Sequence, residues 1–574
     1  MRRLFVVYVK PHLLSFMAGV VCLFLTNYFT VSIPQELGGA IDHLSDGQAL
    51  PHVINIAWMG LAVIVVRTLS RILFFNPGRD IEFHIRQDLF KQLLLLQPKF
   101  YANQIRGDII SRASNDITWT RIMVGFGGLQ LANVAFALSL TGWKMLDIST
   151  DLTIAALVPM LVGFAIVNVI IRKLYPLMKK NQEQLAEISA HVLDSFQGVA
   201  TIQGFVAERV FEGQFLEKNN RWRSTFMNLA ILRALFSPLI AFAGGGALLA
   251  IIWIGAPLAA EGKELTIGDL AAFIALVATL VPYMRSIGWM LSVWQRGRAA
   301  LERIFEIIET DPDLPEGSNP KSYQGGKGPA FKLNHLSFTY PDDPEHLVLR
   351  DISLDIESGS TVGIFGRTGS GKSTLLKLLA RLHSAPKGQL FVDGVELRDI
   401  DIYAWRRVLS IAPQRPFLFS DSIRLNIAME DSPESSEVDR AVELASLQQD
   451  LSAMPEGLET IVGERGIMLS GGQRQRVALA RALYHKGDLI LLDDVLSAVD
   501  HENESRLVKT LNQLQGDRGK PTCIIVSNRI SAFRYAEKIV VLDDGKVVAQ
   551  GTHAELISQA GPYRDAWRAQ REDA

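Results

Sequence analysis
The stretch Gly366-Arg367-Thr368-Gly369-Ser370-Gly371-Lys372-Ser373 decides the fold of the second half of this chain. Before it stands the short apolar run Thr361–Phe365, and after it Leu375–Leu379 continues as a helix. Strand, glycine-rich loop and helix in that order make a P-loop, G-x-x-x-x-G-K-[ST], rather than a chance turn. Its glycines let backbone N–H groups converge on phosphate oxygens, and the helix start adds a favourable dipole. Lys372 is expected to reach the β- and γ-phosphates of a nucleotide, and Ser373 to ligate Mg2+. With Thr374, the segment from Gly366 onward is the predicted phosphate cradle.

A second Gly-rich helix start follows, Leu469-Ser470-Gly471-Gly472-Gln473, opening the amphipathic stretch Arg474–Tyr484 instead of following a strand. One nucleotide needs only one P-loop, so two anion-binding helix starts call for an explanation. Leu489-Ile490-Leu491-Leu492-Asp493 is an apolar strand ending in a carboxylate, the Walker B pattern. Together these motifs resemble the ATP-binding cassette, the ABC family, in which the second motif (the signature) binds ATP held by a partner domain. The resemblance implies an α/β P-loop NTPase over residues 331–574, with ATP and Mg2+ as cofactors. It assigns Asp493 to Mg2+, and Gln414, in Ile411-Ala412-Pro413-Gln414, to a Q-loop that meets Mg2+ and the attacking water. It also assigns Tyr340 to stacking on adenine and Ser497–Asp500 to a D-loop.

The first half is of another kind. Mean hydropathy is +0.18 over the whole chain, but apolar runs crowd the first half. Six are long enough to cross a bilayer, which needs roughly 20 apolar residues: Leu13–Ile33, Ile54–Phe75, Ile122–Met145, Leu152–Ile171, Leu235–Ala256 and Leu270–Trp289. A signal peptide is not expected for the first, because no small-residue cleavage site follows and five more spans do. Pro34–His52 carries Glu36, Asp42 and Asp46 without Lys or Arg, whereas Arg79–Arg121 and Arg172–Arg233 are rich in both. The excess of basic residues marks the cytoplasmic side, so both termini and the ATP domain are expected there. The formal charge of −2 gives no reason to expect nucleic acid as a partner, and Cys22 and Cys523 imply no disulfide framework.

The basic connections keep a helical period: Leu185, Ile188, Val192, Leu193 and Phe196 recur within Leu177–Phe215. Stalks therefore extend each span into the cytoplasm. In half-size ABC exporters, which this half resembles, such stalks end in coupling helices; the matching segments fall within Asn103–Asp116 and Phe205–Phe215. Pro312, Pro315, Pro320 and four glycines between Asp311 and Ala330 break helix and strand patterns. The expected plan is a six-helix, all-α transmembrane domain at 1–310, a linker at 311–330 and the nucleotide-binding domain at 331–574. Neither half is duplicated, so a second chain must complete the machine.

Two positions depart from the family. Most members follow Walker B with a Glu that orients the attacking water; here Asp494 stands back by about 1.5 Å, and a misplacement of that order costs roughly 10²-fold in rate. The family's switch His is replaced by Asn528, whose amide donates hydrogen bonds but cannot become cationic. The resemblance implies a heterodimeric, multidrug-type ABC exporter of the bacterial plasma (inner) membrane. In it this chain's own ATP site is impaired, while Ser470 serves the partner's site. A slow homodimer and a nucleotide-gated channel or sensor remain as alternatives. Arg285, deep in the sixth run, is the candidate for the path of a hydrophobic or amphipathic solute.

Overall fold
A computed structural model describes residues 2–102, 104–261, 265–311, 321–340, 343–463, 466, 468–495 and 519–572. It comprises two compact units, Met1–Leu94 with Ile105–Thr310, and Leu95–Gln104 with Asp311–Ala574.

The first unit is built from helices: α1 Leu13–Asp42, α2 Leu50–Leu95, α3 Arg106–Ile148, α4 Thr150–Gln197, α5 Glu208–Ala234, α6 Phe236–Glu261 and α7 Ile267–Ile308. At 1.5 Å per residue the 46 residues of α2 extend for about 70 Å, well beyond a hydrocarbon core of about 30 Å. Helices therefore carry the spans out of the bilayer as stalks, as the periodicity predicts. Among the described residues five helices are long and apolar enough to cross a membrane: α2, α3, α7, the run Leu4–Asp42 and Ala241–Ala260. The predicted run Leu152–Ile171 lies inside α4, whose apolar stretch among the described residues is Thr150–Gly163.

The helical period expected through Leu177–Phe215 is interrupted. α4 stops at Gln197, a short helix Val199–Gly204 follows, and Val206 adopts a left-handed backbone (φ +52°) before α5 begins. That short helix precedes the expected 205–215. Likewise the short helix Pro98–Ala102 precedes the expected 103–116 and falls in Leu95–Gln104.

Exposed Trp58, Leu61, Ile64, Val65 and Leu69 clothe α2, a surface suited to lipid tails. Inward, Val31, Met145, Leu152, Ala156, Ile251, Phe273 and Leu276 form a core drawn from α1, α3, α4, α6 and α7. Lipid gives no hydrophobic drive between helices, so close packing and hydrogen bonds hold them. Asn27 donates to Asn133 at 2.8 Å, joining α1 to α3. Asp42 at the end of α1 accepts from Thr266 Oγ1 at 2.7 Å and from the Gly268 N–H at 2.8 Å. There α1 and α7 nearly touch.

The second unit holds strands β1 Phe331–Tyr340, β2 Asp343–Ile356, β3 Thr361–Gly366, β4 Leu390–Val392, β5 Val395–Glu396, β6 Leu409–Ala412, β7 Leu489–Asp493, β8 Thr522–Ser527, β9 Lys538–Asp543 and β10 Lys546–Gly551. Four form an antiparallel sheet in the order β2-β1-β4-β5, and six form the main sheet in the order β10-β9-β3-β8-β7-β6. In the main sheet only β10 runs antiparallel to its neighbour. Its central strands are buried on both faces, as parallel strands flanked by other layers must be. Val362, Ile364, Leu489, Leu491, Ile524 and Val526 face one core; Phe365, Ile490, Leu492, Cys523 and Ile525 face the other. Part of the stretch expected as linker is fastened to this unit: Tyr323 donates to Asp393 at 2.8 Å, and the Gly326 N–H to Asp488 at 2.9 Å.

A Cβ on Gly268 would lie 2.2 Å from the Gly38 carbonyl oxygen. Gly268→Ala should therefore force α1 and α7 apart at a cost of about 1–3 kcal/mol. Thermal unfolding of the purified chain in detergent checks it through a lowered Tm, and an unchanged Tm would contradict the close approach.

Candidate functional site
The parallel register decides which side chains meet. Phe365 pairs with Ser527, Asp493 with Val526, and Ala412 with Leu492. Gly366, Asn528, Asp494 and the segment containing Gln414 therefore leave four strands at one edge of the sheet. That carboxyl edge is where open α/β sheets bind ligands.

At this edge β3 turns through Arg367–Gly371 into helix α8, Lys372–Leu379. Gly369 (φ +88°) and Gly371 (φ +94°) take backbone conformations closed to most side chains. A Cβ on Gly371 would also stand 2.6 Å from Leu349 Cδ2. Ser370 Oγ is buried without a hydrogen-bond partner, an orphan that suits a site lined for an anion. Lys372 is buried, and its Nζ donates to the carbonyls of Gly366 and Arg367, each at 2.7 Å. Burial pushes its pKa down, although Asp494 and Asp493 pull the other way. Arg367 and Thr368 are exposed at the loop's tip.

Beside the loop, Ser373 Oγ donates to Asp493 Oδ1 at 3.0 Å, and burial raises the Asp493 carboxyl above the usual range. A hydroxyl and a carboxylate oxygen on one spot are hard donors suited to Mg2+. A dication there would offset the burial of the charged carboxylate. Tyr340 OH lies 3.0 Å from Thr374 Oγ1, and Lys377 Nζ stands 5.8 Å from the centre of its ring. Tyr340 is thus beside the P-loop helix, with Thr374 as its hydrogen-bond partner.

Asp494 has a left-handed backbone (φ +50°), and its N–H donates to the Val526 carbonyl at 2.8 Å. Ser527 Oγ donates to Asp494 Oδ1 at 3.5 Å, so the two altered positions, 494 and 528, sit at adjoining strand ends. Asn528 and Gln414 are exposed.

The signature is built separately. Ser470 caps helix α9, Gly471–Tyr484: its Oγ accepts from the Gln473 N–H at 3.2 Å, and Gln473 Oε1 accepts from the Ser470 N–H at 2.9 Å. This capping box leaves the Ser470 hydroxyl proton free to donate outward. Leu469 is buried and Ser470 exposed, so the turn is anchored from beneath. Gln473 reaches Asp450 at 3.3 Å, and Arg476 grips Asp450 at 2.7 and 2.8 Å. Among the described residues no hydrogen bond joins the signature turn Leu469–Gly472 to the P-loop.

Two residues tie the Q-loop to α9 and escaped the motif reading. Gln475 Nε2 donates to the Gln414 carbonyl at 3.3 Å, and Arg481 Nη1 to the Phe417 carbonyl at 3.0 Å. A cation among Val477, Ala478, Ala482 and Leu483 was the available signal for Arg481. The expected D-loop, Ser497–Asp500, lies outside the described residues, as does the side chain of Arg285; the Arg285 backbone belongs to α7.

Comparison with known proteins fits both units. Residues 349–497 match the ABC transporter family and residues 16–284 the ABC transporter transmembrane region. The chain is similar to the probable multidrug resistance ABC transporter ATP-binding/permease protein YheI of Bacillus subtilis, at 32% identity over 98% of this chain and 96% of that one. The chain belongs to the ABC transporter family. It is also similar to the multidrug resistance-like ATP-binding protein MdlA of Escherichia coli, at 31% identity over 97% of this chain and 95% of that one. The structure of a bacterial Atm1-family ABC exporter with ATP bound shares the fold, with a TM-score of 0.79, 24% identity and 98% of each chain covered. As an ABC exporter chain with fused membrane and ATPase regions, it is a multi-pass membrane protein that works as a dimer and uses ATP with Mg2+ to drive transport.

Ser373→Ala and Asp493→Asn should weaken ATP binding in Mg2+ by about 10–100-fold while leaving binding in EDTA within about twofold. Titration of a fluorescent ATP analogue under both conditions checks this. Equal losses with and without Mg2+ would remove the metal role.

Proposed function
We propose that this ABC transporter chain is one half of a heterodimeric exporter whose own ATP site hydrolyses poorly while its signature serves the partner's competent site. The observation that carries this is the convergence of both departures from the family, Asp494 and Asn528, on adjoining strand ends beside an intact P-loop. Drift at scattered positions would not fall at the two groups that this reading assigns to the γ-phosphate. The signature Leu469–Gln473, by contrast, keeps its serine, its glycines and its capping box.

In this reading Gly366–Thr374 and Tyr340 hold ATP, with Ser373, Asp493 and Gln414 around Mg2+. Asp494 and Asn528 supply weak base and switch functions. Ser470 and the following N–H groups meet the γ-phosphate of the partner's nucleotide. Residues 1–310 span the bacterial inner membrane with both termini in the cytoplasm, 311–330 connect, and 331–574 bind nucleotide. The cargo is a hydrophobic or amphipathic solute, in keeping with the multidrug names of its relatives, and Arg285 in α7 is a candidate for its path. Hydrolysis at one site of two would open the dimer partly and bias the inward–outward equilibrium rather than reset it.

Two substitutions in one cassette test the asymmetry. With the partner present, Asp494→Asn should lower steady-state ATPase only modestly. Ser470→Ala should lower it about 10²–10³-fold, the usual loss for one preorganised donor to a transition state. The chain alone should bind ATP with little turnover until the partner is added. If Asp494→Asn is as inactive as Ser470→Ala, or the lone chain turns over vigorously, the slow-homodimer reading replaces this one.

A further inference from the structure
The C-terminal helix α10, Pro562–Glu572, docks through a single stripe. Tyr563, Ala566, Trp567 and Gln570 follow the spacing i, i+3, i+4, i+7 and so share one face. Tyr563 is buried and meets Phe365 edge-on at 5.2 Å, and Ala566 and Trp567 pack on the same core. Phe365 is the residue before Gly366, so the stripe is anchored directly behind the P-loop. Its fourth position breaks the apolar pattern with an amide.

That amide bridges the loop leaving β8. Gln570 Nε2 donates to the Asn528 carbonyl at 2.8 Å, and Gln570 Oε1 accepts from the Ile530 N–H at 3.0 Å. One side chain thus satisfies the main chain on both sides of Arg529. A carboxamide offers a donor and an acceptor side by side in this way, and an ionised carboxylate does not. A Glu would keep the acceptor but set its other oxygen against the Asn528 carbonyl. From within the loop, Ser527 Oγ accepts from the Arg529 N–H at 3.0 Å. Because Ser527 pairs with Phe365, the loop so fixed lies beside the start of the P-loop.

We propose that Gln570 is a positioning residue of the nucleotide site: it fixes the main chain of Asn528–Ile530 and so holds Asn528 beside the P-loop. It acts through Asn528 and does not touch nucleotide. The role concerns nucleotide retention, and it stands whether this chain's own site hydrolyses ATP quickly or slowly.

Hydrogen exchange of the full chain in lipid nanodiscs reads the clamp directly. Gln570→Ala should raise exchange at Ile530 about tenfold, while peptides over Pro562–Trp567 keep wild-type protection. Gln570→Glu should leave Ile530 protected. Release of mant-AMP-PNP in Mg2+ needs no turnover and gives the second readout. Gln570→Ala and Asn528→Ala should each speed release roughly three- to tenfold. The double variant should release no faster than the quicker single one, because both changes break one interaction. Unchanged exchange at Ile530 in Gln570→Ala, or effects that multiply in the double variant, would overturn the proposal. If α10 undocks in Gln570→Ala, Gln570→Glu decides: faster release with the helix still protected supports the clamp, and wild-type release refutes it.

Discussion
A parallel strand with both faces buried has almost no freedom of register, because a slip of one residue exchanges its two apolar layers at every position. In the main sheet Ile364 and Val526 face one core while Phe365 and Ile525 face the other. That alternation pins β3, β8, β7 and β6 so that their carboxyl ends finish together. Gly366, Asn528, Asp494 and Gln414 are far apart in the chain, and hydrophobic burial some residues upstream brings them to one edge. The site's geometry is therefore set by side chains that never approach a nucleotide.

Burial also sets the electrostatics. Lys372 and Asp493 favour each other's charged forms, and Asp494 supports the Lys372 charge while opposing that of Asp493, yet burial outweighs them and moves Lys372 down and Asp493 up. The charges present do not make up for their lost hydration. Lys372 compensates by donating to two loop carbonyls, and Ser370 Oγ is left without a partner. A phosphate chain with its cation supplies what is missing: anionic oxygens for Lys372 and Ser370, and a dication for Asp493. The P-loop is thus built for a charged occupant.

Motifs read along the chain found the P-loop, the Walker B strand, the signature and the membrane runs, because each rests on local rules of turn chemistry or hydropathy. Tyr340 was singled out only through the resemblance; it is the last residue of β1, and its hydroxyl lies against Thr374 of α8. What stayed hidden depends on contacts across the sequence. Gln570 lies 42 residues from Asn528 and looks like a solvated position on a polar helix. Gln475 and Arg481 join Q-loop to signature helix only because the chain folds back between them. The stalk break after Gln197 was expected several residues late, within Phe205–Phe215, for a different reason. The hydrophobic period of the sequence runs on through Leu177–Phe215 although the helix does not, and the left-handed backbone at Val206 marks the turn.

The turn at Asp494 bears on the shortened carboxylate itself. Left-handed backbone is uncommon outside glycine, and Asp and Asn are several-fold enriched among the residues that adopt it. Asp at this position therefore fits the backbone better than the Glu expected from the cassette pattern would, at the expense of one methylene of reach. The chain cannot recover that reach by moving forward, because the Asp494 N–H is held by the Val526 carbonyl of the neighbouring strand. Shifting the backbone would break that bond and disturb the β7–β8 register, in which Asp493 pairs with Val526. Strand pairing fixes where the side chain starts, and side-chain length fixes where it ends. On the proposed reading, a single methylene then separates a carboxylate that would orient water from one that stands back from it.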